Sequence, residues 1–278
     1  MNNDYKSSRG DVDVYFRDRP DVDFLKTHFH NVHKIIFVAE GTVKMGIADK
    51  SYTVSRDSIV FISNLENHSA AILSPPYKRY VITLPQDFGH TVFNSSALLS
   101  ILTQRPPGFS HAIALNEKTA YIIREVLREM LNENEKKEAF WAERLLSLAA
   151  KLLITLYRYS SAAFPVNEAS EAAKIVSSVQ RYIILNSQKD ITLESMANRH
   201  FINKYYLSRI FRSITGYKFK DYVIQQRLSA AKELLLHTDM SVTEVCLHSG
   251  YNNVNHFIRI FKSYEGTSPY QYRKQHRD

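Results

Sequence analysis

Short apolar runs separated by turn signals fill the chain from Val12 to about Ala114. The runs are rich in β-branched and aromatic residues, which is typical of strands in a meander. They lie at 35–38, 42–47, 51–54, 58–62 and 79–84. Glu40-Gly41 and Ala48-Asp49-Lys50 provide turn signals between neighbouring runs. Many short strands at close spacing predict a sandwich or a barrel, including the jelly-roll group.

The pattern then changes to a helical period. Residues 117–131 and 136–159 are predicted to form two helices, separated by the polar sequence at 132–135. Their apolar stripes are Tyr121, Ile122, Val126 and Met130 on the first helix, and Leu145, Leu148, Ala149, Leu152, Leu153 and Leu156 on the second. Stripes this wide have to be buried. Packing against the strands would bury them, and packing combined with a dimer interface is the alternative. Residues 161–170, with Pro165 and small side chains, are predicted to be a linker.

The last hundred residues contain a repeat. Residues 209–216 read Arg-Ile-Phe-Arg-Ser-Ile-Thr-Gly, and residues 259–266 read Arg-Ile-Phe-Lys-Ser-Tyr-Glu-Gly. A match at a fixed offset predicts two copies of one supersecondary unit.

Local signals predict the content of each copy. Thr192 is the expected N-cap of a short helix in the first copy, and Ser241 with Glu244 has the spacing of a capping box in the second. A tight turn and a second helix follow, at about 204–214 and 253–264, and each second helix is stopped by a glycine. This order predicts two helix-turn-helix modules.

A helical wheel divides each second helix into two faces. The inward sets are Leu207, Ile210 and Phe211 in the first copy, and Phe257, Ile260 and Phe261 in the second. The outward sets are Tyr205, Ser208, Arg209 and Arg212, and Asn255, Ile258, Arg259 and Lys262. Arginine pairs with guanine and asparagine with adenine, so these outward faces suit DNA base edges and phosphates. The alternative is that both faces are merely solvated.

The distribution of charge along the chain helps to decide between DNA-binding faces and merely solvated ones. The formal net charge is +8, and residues 171–278 contain 16 Lys and Arg against 9 Asp and Glu. The first 170 residues are therefore nearly neutral. A basic domain beside a neutral one is the electrostatic pattern of a nucleic-acid-binding module with a separate partner domain. Together with the repeat, it favours DNA as the partner.

The C-terminal motifs resemble a known family. They are Tyr206-Leu207-Ser208-Arg209-Ile210-Phe211, Thr215-Gly216, Arg227-Leu228-Ser229-Ala230-Ala231, Ser249-Gly250-Tyr251 and residues 261–273. They are similar to the DNA-binding domain of AraC/XylS-type bacterial transcription regulators. The resemblance implies a helix at about 219–237 that links the two modules. It also implies base reading by Tyr205, Ser208 and Arg209, and by Val254, Asn255, His256 and Arg259. Arg212 and Lys262 complete the expected DNA-binding set, with Lys262 as a phosphate contact.

The N-terminal half resembles, more loosely, the sensor cupin that precedes many such domains. The similarity rests on His28-Phe29-His30, the Gly41 turn and residues 64–68. His28, His30, Lys34 and His68 are the expected ligand-binding residues. Three histidines could instead hold a divalent metal ion, or could be satisfied structurally. Lys34 stands where catalytic cupins often place a carboxylate, and a lysine there repels a cation, so neither a metal nor a cofactor is expected.

These observations predict an α+β multidomain protein. Residues 1–160 would form a cupin-like β-barrel or jelly roll with two following helices, for sensing and dimerisation, and residues 171–278 an all-α DNA-binding domain. We expect a transcription regulator that binds double-stranded DNA and a small-molecule effector, contacts RNA polymerase, and forms a homodimer. We expect activation of the target genes, and not repression, only because members of this family are usually activators.

Two other readings remain at this point. One is a cupin metalloenzyme or metal sensor fused to a DNA-binding domain, and the other is an architectural DNA binder without a sensor. No P-loop, nucleotide fingerprint or serine elbow indicates catalysis, so we do not expect an enzyme. The polar N-terminus, the absence of a membrane-spanning apolar run and the single cysteine favour a cytoplasmic protein.

Overall fold

The computed structural model describes residues 12–19, 27, 29–30, 32–64, 66–85, 88, 96–106, 108–165 and 170–276. The chain divides into two compact units, Met1–Ala169 and Ser170–Asp278. We call them the N-terminal unit and the C-terminal unit.

The N-terminal unit contains an antiparallel sheet followed by helices. Its elements are β1 (Asp13–Arg17), β2 (His33–Ile47), β3 (Lys50–Ser55), β4 (Ser58–Ile62), β5 (His68–Leu84), α1 (Ser96–Thr103), β6 (Ala112–Ala114), α2 (Glu117–Lys136), α3 (Trp141–Tyr159) and a 3-10 turn (Ser161–Ala163). The strand order is β1-β5-β2-β4-β6, and β3 pairs with β2. The prediction of a strand-rich N-terminal region with two long following helices is confirmed.

Alternation along β2 and β4 gives the sheet two apolar faces. Ile35, Phe37, Ile59 and Phe61 belong to one cluster with the buried residues of α2 and α3. Their neighbours Ile36, Val38, Val60 and Ile62 belong to a second cluster with Val43, Met45, Ala70 and Tyr77. Successive side chains of a strand point to opposite faces, so β4 is buried throughout and needs cover on both sides.

The predicted turn at Glu40-Gly41 is wrong. Both residues lie inside β2, where the register against β5 shifts between Val38 and Val43. Gly41 has φ +86°, and a Cβ there would lie 2.2 Å from the backbone oxygen of Pro76. Glycine is required because the β5 backbone presses on a β-bulge. The glycine signal was real, but it marked a bulge and a close approach instead of a chain reversal.

The break between the two long helices is also displaced from its predicted place. Residues 132–135 belong to α2, which ends at Lys136, and the break spans 137–140. The Asn134 amide donates to Asp13 Oδ1 (2.8 Å) and to the Val14 carbonyl (2.9 Å). Glu133 pairs with Arg144 at 3.0 Å. The tertiary partners of Asn134 and Glu133 keep this polar segment helical.

The leucine stripe of α3 is buried inside the N-terminal unit. Leu145, Leu152 and Leu156 have no exposed surface. They pack in the cluster that includes α2 and one face of the sheet. This stripe therefore has its cover within a single chain, and it gives no separate argument for a dimer.

The C-terminal unit is helical throughout its described length. Its elements are α4 (Glu171–Asn186), α5 (Leu193–Arg199), α6 (Lys204–Thr215), α7 (Phe219–His237), α8 (Val242–His248), α9 (Val254–Glu265) and α10 (Pro269–His276). The first module contains α5 and α6, and the second contains α8 and α9. The helix α7 connects them.

The predicted linker, residues 161–170, is described at both of its ends. Ser161–Ala163 form the 3-10 turn, and Phe164 is buried in the N-terminal core with its ring 5.2 Å from Tyr157. The Ser170 hydroxyl accepts a hydrogen bond from the Ala173 amide and caps α4. Phe164 thus packs with the N-terminal unit, while residues 166–169 lie outside the described residues.

Candidate nucleic-acid interface and ligand pocket

The short helices of both modules begin at capping boxes. The Thr192 hydroxyl accepts from the Ser195 amide at 3.0 Å, and the Ser195 hydroxyl accepts from the Thr192 amide at 3.2 Å. In the second module the Ser241 amide donates to Glu244 at 2.7 Å. Hydrogen bonds from the Ser241 side chain and backbone lower the pKa of the Glu244 carboxyl. Both predicted N-termini are confirmed.

The second helix of each module, α6 or α9, begins at an asparagine cap and ends at a glycine. The Asn203 side chain accepts from the Tyr205 amide at 2.8 Å, and the Asn253 side chain accepts from the His256 amide at 2.9 Å. Gly216 and Gly266 end the helices at φ +79° and +75°, a conformation that favours glycine. The repeated local chemistry therefore builds two equivalent helices.

The exposed face of α6 carries the residues predicted for it. Ser208, Arg209 and Arg212 are exposed, and Tyr205 is 75% exposed. The Arg209 guanidinium lies 5.5 Å from the centre of the Tyr206 ring. Leu207, Ile210 and Phe211 are buried on the opposite side as predicted. The helix thus presents a hydroxyl, a phenol and two guanidinium groups on a single surface.

The exposed face of α9 differs from the prediction at two residues, Ile258 and Val254. Asn255, His256, Arg259 and Lys262 are exposed. Ile258 was expected to face outward, but it is half-buried and packs against the cluster of Phe257 and Phe261. Val254, which the family resemblance placed among the readers, is half-buried in the same cluster. The Arg259 guanidinium lies 3.2 Å from His256 Nδ1, so the two side chains are neighbours.

The turns of the two modules differ in length. The match of residues 209–216 to 259–266, at a constant offset of fifty, did not reveal this difference. Thr192 matches Ser241 at an offset of forty-nine, whereas Asn203 matches Asn253 at fifty. The second turn therefore contains one additional residue. Phe201 in the first turn has φ +54° and is 97% exposed. Its counterpart is Gly250, with φ +90°.

A small cavity in the N-terminal unit contains two of the predicted ligand-binding residues. It is lined by Tyr15, Lys34, Ile36, Met45, His68, Ser69, Ala70, Tyr77, Arg79 and Val81. These side chains come from β1, β2 and β5, which are neighbours in the sheet. The wall therefore combines apolar side chains with phenols, cations and an imidazole.

The predicted histidine cluster is described only in part. The rings of His30 and His68 lie 5.2 Å apart, and both residues are buried. His28 lies outside the described residues. Within the part of the chain that the structure describes, no three His, Cys, Asp or Glu side chains come together in a way that could hold a metal ion.

A buried charged network lies in the loop that precedes His68. Arg105 forms a two-pronged ion pair with Glu66, with Nη2 at 2.8 Å from Oε2. His111 Nε2 lies 3.0 Å from the same carboxylate, and His111 Nδ1 lies 2.9 Å from the Tyr52 hydroxyl. Burial alone would raise the pKa of Glu66, but Arg105 and His111 outweigh it and hold the pKa well below its usual range. No short-range sequence pattern could have revealed this network, because its partners are about forty residues apart.

The single cysteine is buried in the second module. Cys246 has no exposed surface, and its thiol lies 3.4 Å from the Tyr251 carbonyl. Desolvation raises the pKa of the thiol. A protonated, inaccessible thiol is unreactive.

Two family models match the chain. A model described as an AraC-like ligand-binding domain covers residues 9–149, and a helix-turn-helix domain model covers residues 196–275. In the described residues, no helix combines the length and apolarity needed to cross a membrane.

Known proteins resemble the chain over nearly its whole length. The HTH-type transcriptional activator RhaR of Enterobacter sp. (strain 638) is 24% identical, over 95% of this chain and 92% of the relative. The HTH-type transcriptional activator RhaS of the same strain is 25% identical, over 89% and 87%. The structure of ToxT from Vibrio cholerae is similar in fold, with a TM-score of 0.59 and 16% identity over 96% of this chain and 98% of that chain.

Proposed function

Because the chain belongs to the AraC family, with an AraC-like ligand-binding domain ahead of a helix-turn-helix domain, we propose that it is a transcription regulator. It binds double-stranded DNA through its C-terminal unit, and a small molecule bound in the N-terminal unit modulates that binding. The observation that carries the proposal is the pair of exposed, basic faces on α6 and α9 at matched positions of a repeat. A surface that is merely solvated would not require basic residues at the same positions in both copies of the repeat.

Within this function we assign base reading to two groups of exposed residues. They are Tyr205, Ser208 and Arg209 on α6, and Asn255, His256 and Arg259 on α9, with half-buried Val254 beside them. Arg212 and Lys262 lie one turn further along, close to the C-terminal ends of their helices. There a cation is suited to phosphate contacts, which position the protein without reading sequence.

The proposed effector site is the cavity that contains Lys34 and His68. Buried His30 lies against His68, and His28 is proposed as a neighbour from sequence alone. The His68 ring is oriented by its own loop, because Nδ1 lies 2.9 Å from the Glu66 carbonyl. Donation to that carbonyl fixes the tautomer and leaves Nε2 as the hydrogen-bond acceptor of the neutral ring.

We further propose activation of transcription, contact with RNA polymerase and homodimer formation. The support for activation is that RhaR and RhaS, similar over nearly the whole chain, are both named transcriptional activators. The dimer and the polymerase contact rest on the family resemblance.

The experiment that tests the proposal measures DNA binding by the whole chain and by residues 170–278. Fluorescence anisotropy on random-sequence duplexes should show binding by both, with about 10³–10⁵-fold lower affinity at 200 mM than at 50 mM salt. The Arg212→Ala/Lys262→Ala double variant should bind these duplexes more weakly, because it removes the two proposed phosphate contacts. A folded fragment without DNA affinity at 50 mM salt contradicts the assignment.

The effector site has its own test. A thermal-shift screen of metabolites should find a compound that raises the melting temperature of the full chain. In the full chain, His30→Ala or Lys34→Ala should abolish that shift and leave DNA binding without the compound unchanged. A ligand whose shift survives both substitutions would place the effector elsewhere.

A further inference from the structure

Arg227, on the connecting helix α7, is bonded to the chain at the end of α4. Its Nε donates to the Ser187 carbonyl at 2.8 Å, and Nη2 donates to the Lys189 carbonyl at 2.8 Å. Helix α4 packs against α6 of the first module and ends at Asn186, so these carbonyls belong to its C-terminal cap and the following turn. A guanidinium is suited to this position because its planar fork donates in two directions and its charge favours a helix C-terminus.

The second module packs against the other side of the same arginine. The guanidinium carbon lies 5.6 Å from the centre of the Tyr251 ring, and Tyr251 is buried. A Cβ on Gly250 would lie 2.7 Å from the Ser187 oxygen, 2.8 Å from Gln188 Cα and 3.0 Å from Arg227 Nε. The turn of the second module therefore touches the backbone that follows α4. We call Ser187, Gln188, Arg227, Gly250 and Tyr251 the junction.

A second arginine has the same local role without joining the modules. Arg273, on α10, donates from Nε to the Leu235 carbonyl at 3.0 Å and from Nη2 to the Met240 carbonyl at 2.6 Å. It thus holds the C-terminal end of α7 as Arg227 holds the end of α4. Arg273 differs in that all its partners belong to α7 or to the segment that leads into the second module. The chain therefore provides a matched comparison for Arg227.

The first turn shows what happens at the equivalent position without such packing. Phe201 corresponds to Gly250 and is 97% exposed, so nothing presses on its backbone. A large side chain is accepted there, whereas Gly250 has no room for one methyl group. The difference between the two turns follows from the junction.

We propose that the junction fixes the orientation of α6 relative to α9, and that Arg227 is the positioning residue that makes the two recognition helices act as one rigid reader. The inference rests on the proposed DNA-binding function and adds to it a residue remote from both reading faces. Two reading helices confer specificity for a spaced pair of boxes only if their mutual rotation is fixed. One base pair of added spacing turns the second box by about 34–36°.

The first test measures the distance between the recognition helices without DNA. Ser213→Cys and Ser263→Cys, at matched exposed positions of α6 and α9, place spin labels on the full chain, and buried Cys246 stays unlabelled. Pulsed electron paramagnetic resonance should give one narrow distance distribution. Arg227→Ala and Arg227→Lys should broaden it at least twofold, since lysine keeps the charge and loses the fork. Arg273→Ala should leave it narrow.

Two results would overturn the proposal. One is an unchanged narrow distribution in both Arg227 variants, and the other is equal broadening by Arg273→Ala. Circular dichroism of each variant establishes that its helices are intact. If Arg227→Ala does not fold, Arg227→Lys decides the question on the same criteria.

The second test uses DNA selected by the wild-type full chain from a library of random duplexes. Wild-type affinity should fall at least tenfold when the spacing between the selected boxes changes by two base pairs. Arg227→Lys should lose most of this dependence and keep its affinity for a duplex with one box within about threefold. An identical spacing profile for wild type and Arg227→Lys would refute the positioning role. Failure to select any duplex would contradict the proposed function, while the distance measurement would still decide whether the junction is rigid.

Discussion

The two helix-turn-helix modules share their frame and differ in what they present. Capping boxes, asparagine caps and terminal glycines recur in both. The exposed faces recur only in part. Tyr205 on α6 has Asn255 as its counterpart on α9, and exposed Ser208 has half-buried Ile258. Arg209 and Arg259 are the guanidinium groups common to both faces. The caps and terminal glycines therefore maintain the fold in both modules, and we assign each module's own DNA preference to the exposed residues that differ.

The turns diverge for a different reason. Gly250 packs against backbone and Phe201 faces solvent. Both residues adopt positive φ, which is unfavourable for phenylalanine by about 1–2 kcal/mol. Only the second turn is constrained by another part of the unit, so its sequence is restricted in a way that the first is not.

The largest effect is expected from separating the two DNA boxes. Inserting five base pairs between them should lower affinity by about 10²–10⁴-fold, because the second module can no longer bind on the same face of the duplex. Ten base pairs should not restore binding. Helix α7 has 19 residues and is roughly 28 Å long, too short to reach a further turn of DNA. A gel-shift series with one spacer per duplex measures both effects, and recovery at ten base pairs would indicate flexibly tethered modules.

The two turns should respond in opposite directions to substitution. Gly250→Ala should lower the free energy of unfolding of residues 170–278 by about 2–4 kcal/mol, through positive φ and overlap with the Ser187 carbonyl. Phe201→Gly should raise it by about 1 kcal/mol, because it removes the backbone strain without losing a packed side chain. Urea denaturation followed by circular dichroism measures both. Equal tolerance of alanine at 250 and 201 would contradict the difference in packing.

Substitutions on the two reading faces should change the base preference at different positions of the DNA site. Arg209→Ala and Arg259→Ala should each cost about 1–3 kcal/mol at the selected site, and each should relax preference in a different box. Arg181→Ala, which removes a guanidinium from the exposed surface of α4, is the control. Competition binding with single-base variants of the site measures the change. Loss of specific and nonspecific affinity in equal proportion would exclude base reading by that arginine.

The smallest effect is expected at Lys262. As a phosphate contact, Lys262→Ala should weaken binding to all sequences alike and reduce the slope of log affinity against log salt by about 1. Lys174→Ala removes the same charge from α4 and should leave the slope unchanged. A sequence-dependent loss in Lys262→Ala would move this residue from the phosphate contacts to the readers.

Local signals predicted most of the C-terminal unit. Thr192, Ser241 and Gly216 determine where helices begin and end through contacts within a few residues, so their roles are visible in the sequence. Helix α4 was not predicted, although Ser170 followed by Glu171 is a helix-start signal. The extra residue in the second turn was concealed because the strongest part of the repeat lies beyond it.

The failures in the N-terminal unit have tertiary causes. Strand β5 extends from His68, across Pro75 and Pro76, because β2 pairs with it over most of its length. The polar sequence at 132–135 stays helical because Asn134 and Glu133 have distant partners. The ion pair of Glu66 and the hydrogen bonds of Arg227 were not predicted, because their partners lie about forty positions away in the sequence.

The ion pair of Glu66 makes the stability of the N-terminal unit depend on pH. Its folded pKa is depressed relative to its ordinary value of 4.5, so the carboxylate contributes stability that is fully present above that value. This contribution is lost progressively as the pH falls towards the depressed pKa. Protonation weakens the hold of Arg105 on the loop that orients His68. Acid and the proposed effector would therefore act on one loop, and an effector that requires the present orientation of His68 should bind more weakly at a pH low enough to protonate Glu66.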